Sequence, residues 1–303
     1  MSKNVKKSIF VIAKLLLYYI LYQLFFTYAA MIGSVVVYAV NGGLSAQELI
    51  AQSEALVSQN SSLLVWATSL GLLFSSIVML WHLIHFNYFN FGKSPFKQVK
   101  GNVMLLSIVF IFCSMTLFNY AAQLVELPDN LSAQMEQLSK NLFGLFAIAV
   151  TGPILEEVLF RGAIQGYLMR KFSNPWVGII IASLIFGIIH LNPIQVFYAF
   201  FLGLAFGWLY YRTGSLMPSI IGHVLNNSLA ACMMYFGIDE AEMNIEVGAT
   251  TEYISLGIIA VIAAVMVYLI NKKQPSVQIP WRGVGDEDED ETENVEICDG
   301  ASK

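Results

Sequence analysis

Residues 141–169 read NLFGLFAIAVTGPILEEVLFRGAIQGYLM, and this stretch decides what kind of molecule the chain is. An α-helix needs about 20 predominantly apolar residues to cross the hydrocarbon core of a bilayer, and the stretch exceeds that length. It nevertheless carries Glu156, Glu157 and Arg161. An ionisable side chain near the bilayer centre costs about 2.5–3.5 kcal/mol on insertion scales, so three together require mutual compensation or a task. Glu157 and Arg161 stand at i,i+4 with the acid on the N-terminal side, the favoured order for a helical ion pair. Glu156 is turned by about 100° from Glu157 on a 3.6-residue helix, with no partner in its own helix. A lone carboxyl in apolar surroundings suits general acid–base chemistry. Gly152-Pro153, one turn earlier, is expected to kink or loosen the helix.

The chain around this stretch is equally poor in charge. Of its 303 residues 57% are apolar and 12% charged, about half the usual charged fraction of a soluble domain, and the mean hydropathy is +0.65. A soluble enzyme and an intrinsically disordered chain are both excluded. Eight apolar runs are long enough to read as spans, near 9–40, 62–86, 103–125, 141–169, 176–192, 194–211, 216–236 and 252–271. Backbone groups must be paired within lipid, so such runs mean helices. The expected fold is an all-α, polytopic membrane helix bundle of about eight transmembrane helices over residues 1–271, with residues 141–236 as its polar core. The fifth and sixth runs are short and share the punctuation Leu191-Asn192-Pro193.

The charges sort by side when the N-terminus is placed in the cytoplasm. Lys3, Lys6, Lys7, Lys93, Lys97, Lys100, Arg170, Lys171 and Arg212 then lie inside, and Lys14 snorkels to the same side. Glu48, Glu54, Glu126, Asp129, Glu136, Asp239, Glu240, Glu242, Glu246 and Glu252 lie outside, with Lys140 the single base among them. The C-terminus returns to the cytoplasm at Lys272 and Lys273. A cleaved signal peptide does not fit the start, because the apolar stretch after Lys7 runs to Val40, far past an h-region of about 7–15 residues. The net charge of −5 belongs to residues 272–303, which hold nine acids and four bases. Their run Asp286 to Glu291 reads as a solvated cytoplasmic tail. Cys113, Cys232 and Cys298 make neither a disulfide framework nor a metal knuckle, and nothing in the chain points to nucleic acid.

Two further polar pairs repeat the i,i+4 spacing inside spans: Phe186 with His190, and His223 with Asn227. At 1.5 Å per residue Glu156 and His190 both lie about 20 Å from the cytoplasmic end of their spans, and His223 about 10–16 Å, which is compatible with one shared cavity. His82 and His85 end the second run beside Phe86, Tyr88, Phe89 and Phe91, an interfacial aromatic belt. No His-Glu-x-x-His helix is present, so a zincin is excluded. Gly162-x-x-x-Gly166, Gly178-x-x-x-Ala182 and Gly203-x-x-x-Gly207 allow close helix approach.

Glu156-Glu157-x-x-x-Arg161, Phe186-x-x-x-His190 and His223-x-x-x-Asn227, in that order on separate spans, resemble the three signature motifs of the CPBP family, the CAAX proteases and bacteriocin-processing enzymes once called Abi. The resemblance covers residues 141–236 and implies an intramembrane endopeptidase. It implies that Glu156 activates the attacking water, that His190 helps to hold or polarise it, that His223 and Asn227 stabilise the oxyanion, and that Glu157, Arg161 and Phe186 support the site. Two His and one Glu (Glu156, His190, His223) would form an open Zn²⁺ site of the His₂Glu type, and a glutamate mechanism with no cofactor uses the same residues. The implied substrate is a membrane-associated peptide or protein, either a prenylated CAAX-type protein or, in a bacterial plasma membrane, a bacteriocin or signalling peptide. Two other classes share some of these features. One is a non-catalytic immunity or scaffold protein on the same bundle, and the other a proton-coupled transporter, against which the absence of an inverted repeat counts.

Overall fold

The computed structural model describes residues 3–43, 45, 47–48, 61–88, 96, 99–238 and 249–274. The acidic run and the loop acids Asp239, Glu240, Glu242 and Glu246 lie outside the described residues, as does all of the 272–303 tail beyond Gln274.

The described chain is helical throughout. In order it forms α1 (Lys3–Asn41), α2 (Ser61–His85), α3 (Gly101–Leu124), a short α4 (Ser132–Ser139), α5 (Leu142–Lys171), α6 (Pro175–Ile188), α7 (Pro193–Thr213), α8 (Met217–Phe236) and α9 (Ala249–Lys273). Each of the eight apolar runs is a helix. Six of them, α1, α2, α3, α5, α7 and α9, have the length and apolar composition to cross a membrane. The protein is therefore an all-α, polytopic membrane helix bundle with about six such spans, and two of the eight expected spans fall short for physical reasons. Helix α6 has only 14 residues, about 21 Å of rise against a core about 30 Å thick. It stops because the backbone turns at Leu191, whose φ is +56°, and Pro193 can only begin the next helix. Helix α8 has 20 residues, and its apolar content is diluted by His223, Asn226 and Asn227.

Burial separates a centre from a periphery. In α5 and α7 44% of the most apolar window is inside the protein, in α9 only 6%. Helix α9 packs on α3 at the rim, with Arg212 Nη2 donating to Asn271 O at 3.0 Å to tie its end to that of α7. Helices α1 and α2 form an antiparallel pair; their backbones cross at Gly71, where a Cβ would stand 2.5 Å from Thr27 Cα. The pair contributes Ile12, Leu15, Tyr19, Met79 and Leu83 to the core that surrounds Leu155, Val158 and Leu159 of α5.

Helix α5 is not a regular α-helix. Ala147–Thr151 and Glu157–Gln165 are π-helical, separated by the α-helical Gly152–Glu156. Pro153 accounts for the first widening. Lacking an N–H, it takes the α-helical donor from the carbonyl of Ala149 and the π-helical donor from that of Ile148. The Gly152 N–H instead reaches back to Ala147 O. The glycine pattern of α7 has a matching purpose. Gly203 leaves room for the Arg161 guanidinium, 3.2 Å from where a Cβ would be, and Gly207 for the Gln165 amide, which donates to Gly207 O at 2.9 Å.

Candidate active site

The second π segment carries the charges. All nine residues from Glu157 to Gln165 are buried, and π turns inside helices occur most often at functional sites. Glu157 Oε1 lies 2.9 Å from Arg161 Nη1, with the two side chains 0% and 1% exposed, so the ion pair expected from their spacing forms. The same carboxylate oxygen accepts from Nδ1 of His223, on α8, at 2.9 Å. Arg161 Cζ sits 4.2 Å from the Phe186 ring centroid and 5.4 Å from that of Phe206, a cation–π setting that suits a guanidinium kept from water.

This network places Glu156. With Nδ1 of His223 committed to Glu157, Nε2 points to the other side of the ring, and Glu156 Oε2 lies 3.6 Å from it. Glu156 keeps 18% of its side chain exposed while Glu157 keeps none. The partner that Glu156 lacks in its own helix is thus an imidazole from another. The buried Tyr19, on α1, packs in the same core as Leu155, the residue before Glu156. Tyr19 lies far from the motifs in sequence, and its position in an apolar run gave no signal.

His190 meets this cluster through Phe186. It occupies the turn after α6, where Nδ1 donates to Phe186 O at 2.7 Å, leaving Nε2 as the free nitrogen. The Phe186 ring is edge-on to His190 at 4.9 Å and to His223 at 5.6 Å, so it packs against both imidazoles. The turn is held from outside. Asn192 is fully buried, donates to Asp129 Oδ1 at 2.9 Å and accepts from Asn130 N at 3.1 Å. Asp129 Oδ1 also caps the backbone N–H groups of Leu131 and Ser132.

Asn227 meets the π segment rather than the ion pairs. Its Nδ2 donates to Ile148 O at 3.1 Å, and Ser228 Oγ donates to Ala149 O at 3.4 Å; these are the two carbonyls that Pro153 deprives. Asn227 Oδ1 accepts from Asn226 Nδ2 at 2.9 Å, and Asn226 Oδ1 from the Tyr198 hydroxyl at 2.6 Å. Outside the site His82 is buried, accepting from or donating to the Tyr22 hydroxyl at 2.9 Å and stacked on Tyr88.

The arrangement thus joins Glu156, Glu157, Arg161 and His223 directly, His190 through Phe186, and Asn227 through the backbone of α5. Among the described residues no three His, Cys, Asp or Glu side chains are placed to hold a metal ion, so Glu156, His190 and His223 do not form a ready-made ligand set in this arrangement. The chemistry that the site offers on its own is a carboxylate with a facing imidazole, buffered by a neutralised Glu–Arg pair.

Residues 138–229 match the model of the family described as type II CAAX prenyl endopeptidase, Rce1-like. Over 105 residues the chain is 30% identical to the "Putative membrane peptidase YdiL" of Bacillus subtilis (strain 168), a match over 35% of this chain and 43% of that protein. The chain therefore spans less than half the length of that relative. No solved structure matches the chain. The matched residues hold every one of the three spaced pairs and the network that connects them, and it is this region, residues 138–229, that is similar to the Rce1-like, or CPBP, family of CAAX proteases.

Proposed function

We propose that the protein is an intramembrane endopeptidase that hydrolyses a peptide bond in a membrane-associated protein or peptide, with Glu156 as the base that activates water. The observation that carries the proposal is the Glu156–His223–Glu157–Arg161 network. It leaves one partly exposed carboxylate facing an imidazole whose ring orientation is set by a second, neutralised carboxylate. Glu156 takes a proton from water as the oxygen attacks the scissile carbonyl and returns it to the leaving amine, so protons balance over the cycle. Nε2 of His190, with Nδ1 committed to Phe186 O, holds the water or polarises it. The second N–H of Asn227 meets the developing oxyanion, where a preorganised donor is worth about 3–4 kcal/mol, and His223, whose Nδ1–H is committed to Glu157, adds a donor there when Nε2 carries a proton. No step is routed through a metal.

The substrate class follows the family description and the site's place inside a membrane bundle: a prenylated CAAX-type protein or a short hydrophobic peptide presented from the bilayer. The charge asymmetry of the loops favours cytoplasmic termini, and the compact chain with short loops is compatible with a bacterial plasma membrane. The test uses the purified full chain in lipid nanodiscs with two internally quenched peptides, one ending in a farnesylated cysteine followed by three residues, the other apolar and unprenylated. Glu156→Gln removes at least 100-fold of the cleavage rate while the protein remains folded. Cleavage that survives this substitution overturns the mechanism. Addition of a strong chelator leaves the rate unchanged if Glu156 works alone, and abolishes it if a bound metal shares the task.

A further inference from the structure

The third motif ends in Asn227, and the orientation of its amide is dictated by a backbone atom. Ile148 O can only accept, so the Asn227 atom 3.1 Å away is Nδ2. Its other terminal atom is then Oδ1, an acceptor, which requires Asn226 to present Nδ2 at 2.9 Å. Asn226 in turn presents Oδ1 to Tyr198, and the phenol must donate at 2.6 Å. Each step leaves one choice of donor and acceptor. The chain of bonds links α7, α8 and α5, and it begins at a carbonyl that is free because Pro153 has no N–H.

We infer that Tyr198 and Asn226 are positioning residues that hold the Asn227 amide so that its second N–H stays available to the reacting carbonyl; the inference rests on the protease reading above. With Oδ1 tied to Asn226 and one N–H tied to Ile148 O, the amide cannot flip and present an acceptor to a developing negative charge. A donor aimed in advance costs no reorganisation during reaction, and small displacements of such groups have large effects on rate. The α7 residue Tyr198 thereby enters the site through Asn226, which the motif itself treats as an arbitrary residue between His223 and Asn227.

The experiment is a kinetic double-mutant cycle on the full chain in nanodiscs with the farnesylated quenched peptide. Tyr198→Phe and Asn226→Ala each lower kcat about tenfold and leave KM within twofold. In an Asn227→Ala background, Tyr198→Phe changes the residual kcat by less than twofold. An undiminished tenfold loss in that background, or no loss in the wild-type background, overturns the inference. If the wild type does not cut the peptide, or Glu156→Gln still does, the protease reading fails instead. The relay is then judged by thermal unfolding: Tyr198→Phe and Asn226→Ala give non-additive shifts in Tm if the bonds are linked, and additive shifts overturn it.

Discussion

At the scale of single residues, the site depends on a fully buried charge held by one carboxylate and two aromatic rings. Arg161 is 1% exposed, paired with Glu157 at 2.9 Å, covered by the Phe186 and Phe206 rings and seated against Gly203. Removing one partner of a buried pair leaves an uncompensated charge and costs about 3–5 kcal/mol. Arg161→Ala is therefore expected to reduce the folded yield and lower Tm by many degrees, and Arg161→Lys to recover only part of the loss, because a point charge replaces a planar fork. Thermal unfolding of the detergent-solubilised protein reads both. Gly203→Leu acts on the same pair from the other side by filling the space beside the guanidinium. The i,i+4 spacing made the Glu157–Arg161 pair legible before any fold was known. Nothing local made Gly203 its counterpart, since the glycine is 42 residues away and meets Arg161 only when α7 packs on α5.

At the scale of elements, α5 departs from α-helical geometry where the chemistry is concentrated. Pro153 withholds one N–H, two carbonyls lose their helical donors, and Asn227 and Ser228 on α8 take them up. Proline inside a helix costs about 3 kcal/mol, so Pro153→Ala is expected to raise Tm. It also supplies an N–H that competes with Asn227 for the π-segment carbonyls, so cleavage should fall at least tenfold. A more stable and less active variant is the expected trade-off at such a site; calorimetry and the peptide assay on one preparation check it. A variant that gains stability with unchanged activity would mean that the π turn is only structural. Gly152-Pro153 was a readable disturbance in the sequence. Its outcome, widening rather than kinking, depended on α8 offering side-chain donors to the carbonyls it freed.

At the scale of the whole molecule, the motif-bearing helices are completed by helices that carry no motif. Leu15 and Leu83, 1% and 0% exposed, pack in the same core as Leu155 and Val158 beside Glu156, and Tyr19 joins that core from α1. Leu15→Ala or Leu83→Ala is expected to cost about 2–5 kcal/mol through lost packing and a residual cavity, and to lower cleavage although neither residue touches the ion pairs. Equal effects at a lipid-facing position such as Leu17, which is 54% exposed, would argue against a specific role for the α1–α2 pair. Chemical unfolding with activity measured across the transition separates the two outcomes.

Composition and periodicity alone determined that the chain is a membrane helix bundle, because long uncharged runs leave helices as the solution for unpaired backbone groups in lipid. They also singled out Glu156, Glu157, Arg161, His190, His223 and Asn227, since polar groups at mid-span are too costly to be incidental, whereas Phe186 entered through the family resemblance. Tertiary structure decided which of these meet. It set His223 between the two glutamates, packed Phe186 against both imidazoles, and tied Asn227 to α5 through Ile148 O. It also shortened α6, and with α8 too polar in composition about six rather than eight helices are of membrane-crossing length and composition. Local spacing fixes only which side chains share a helix face; contacts between α1, α5, α7 and α8 arise from packing across large sequence separations, which no local pattern encodes.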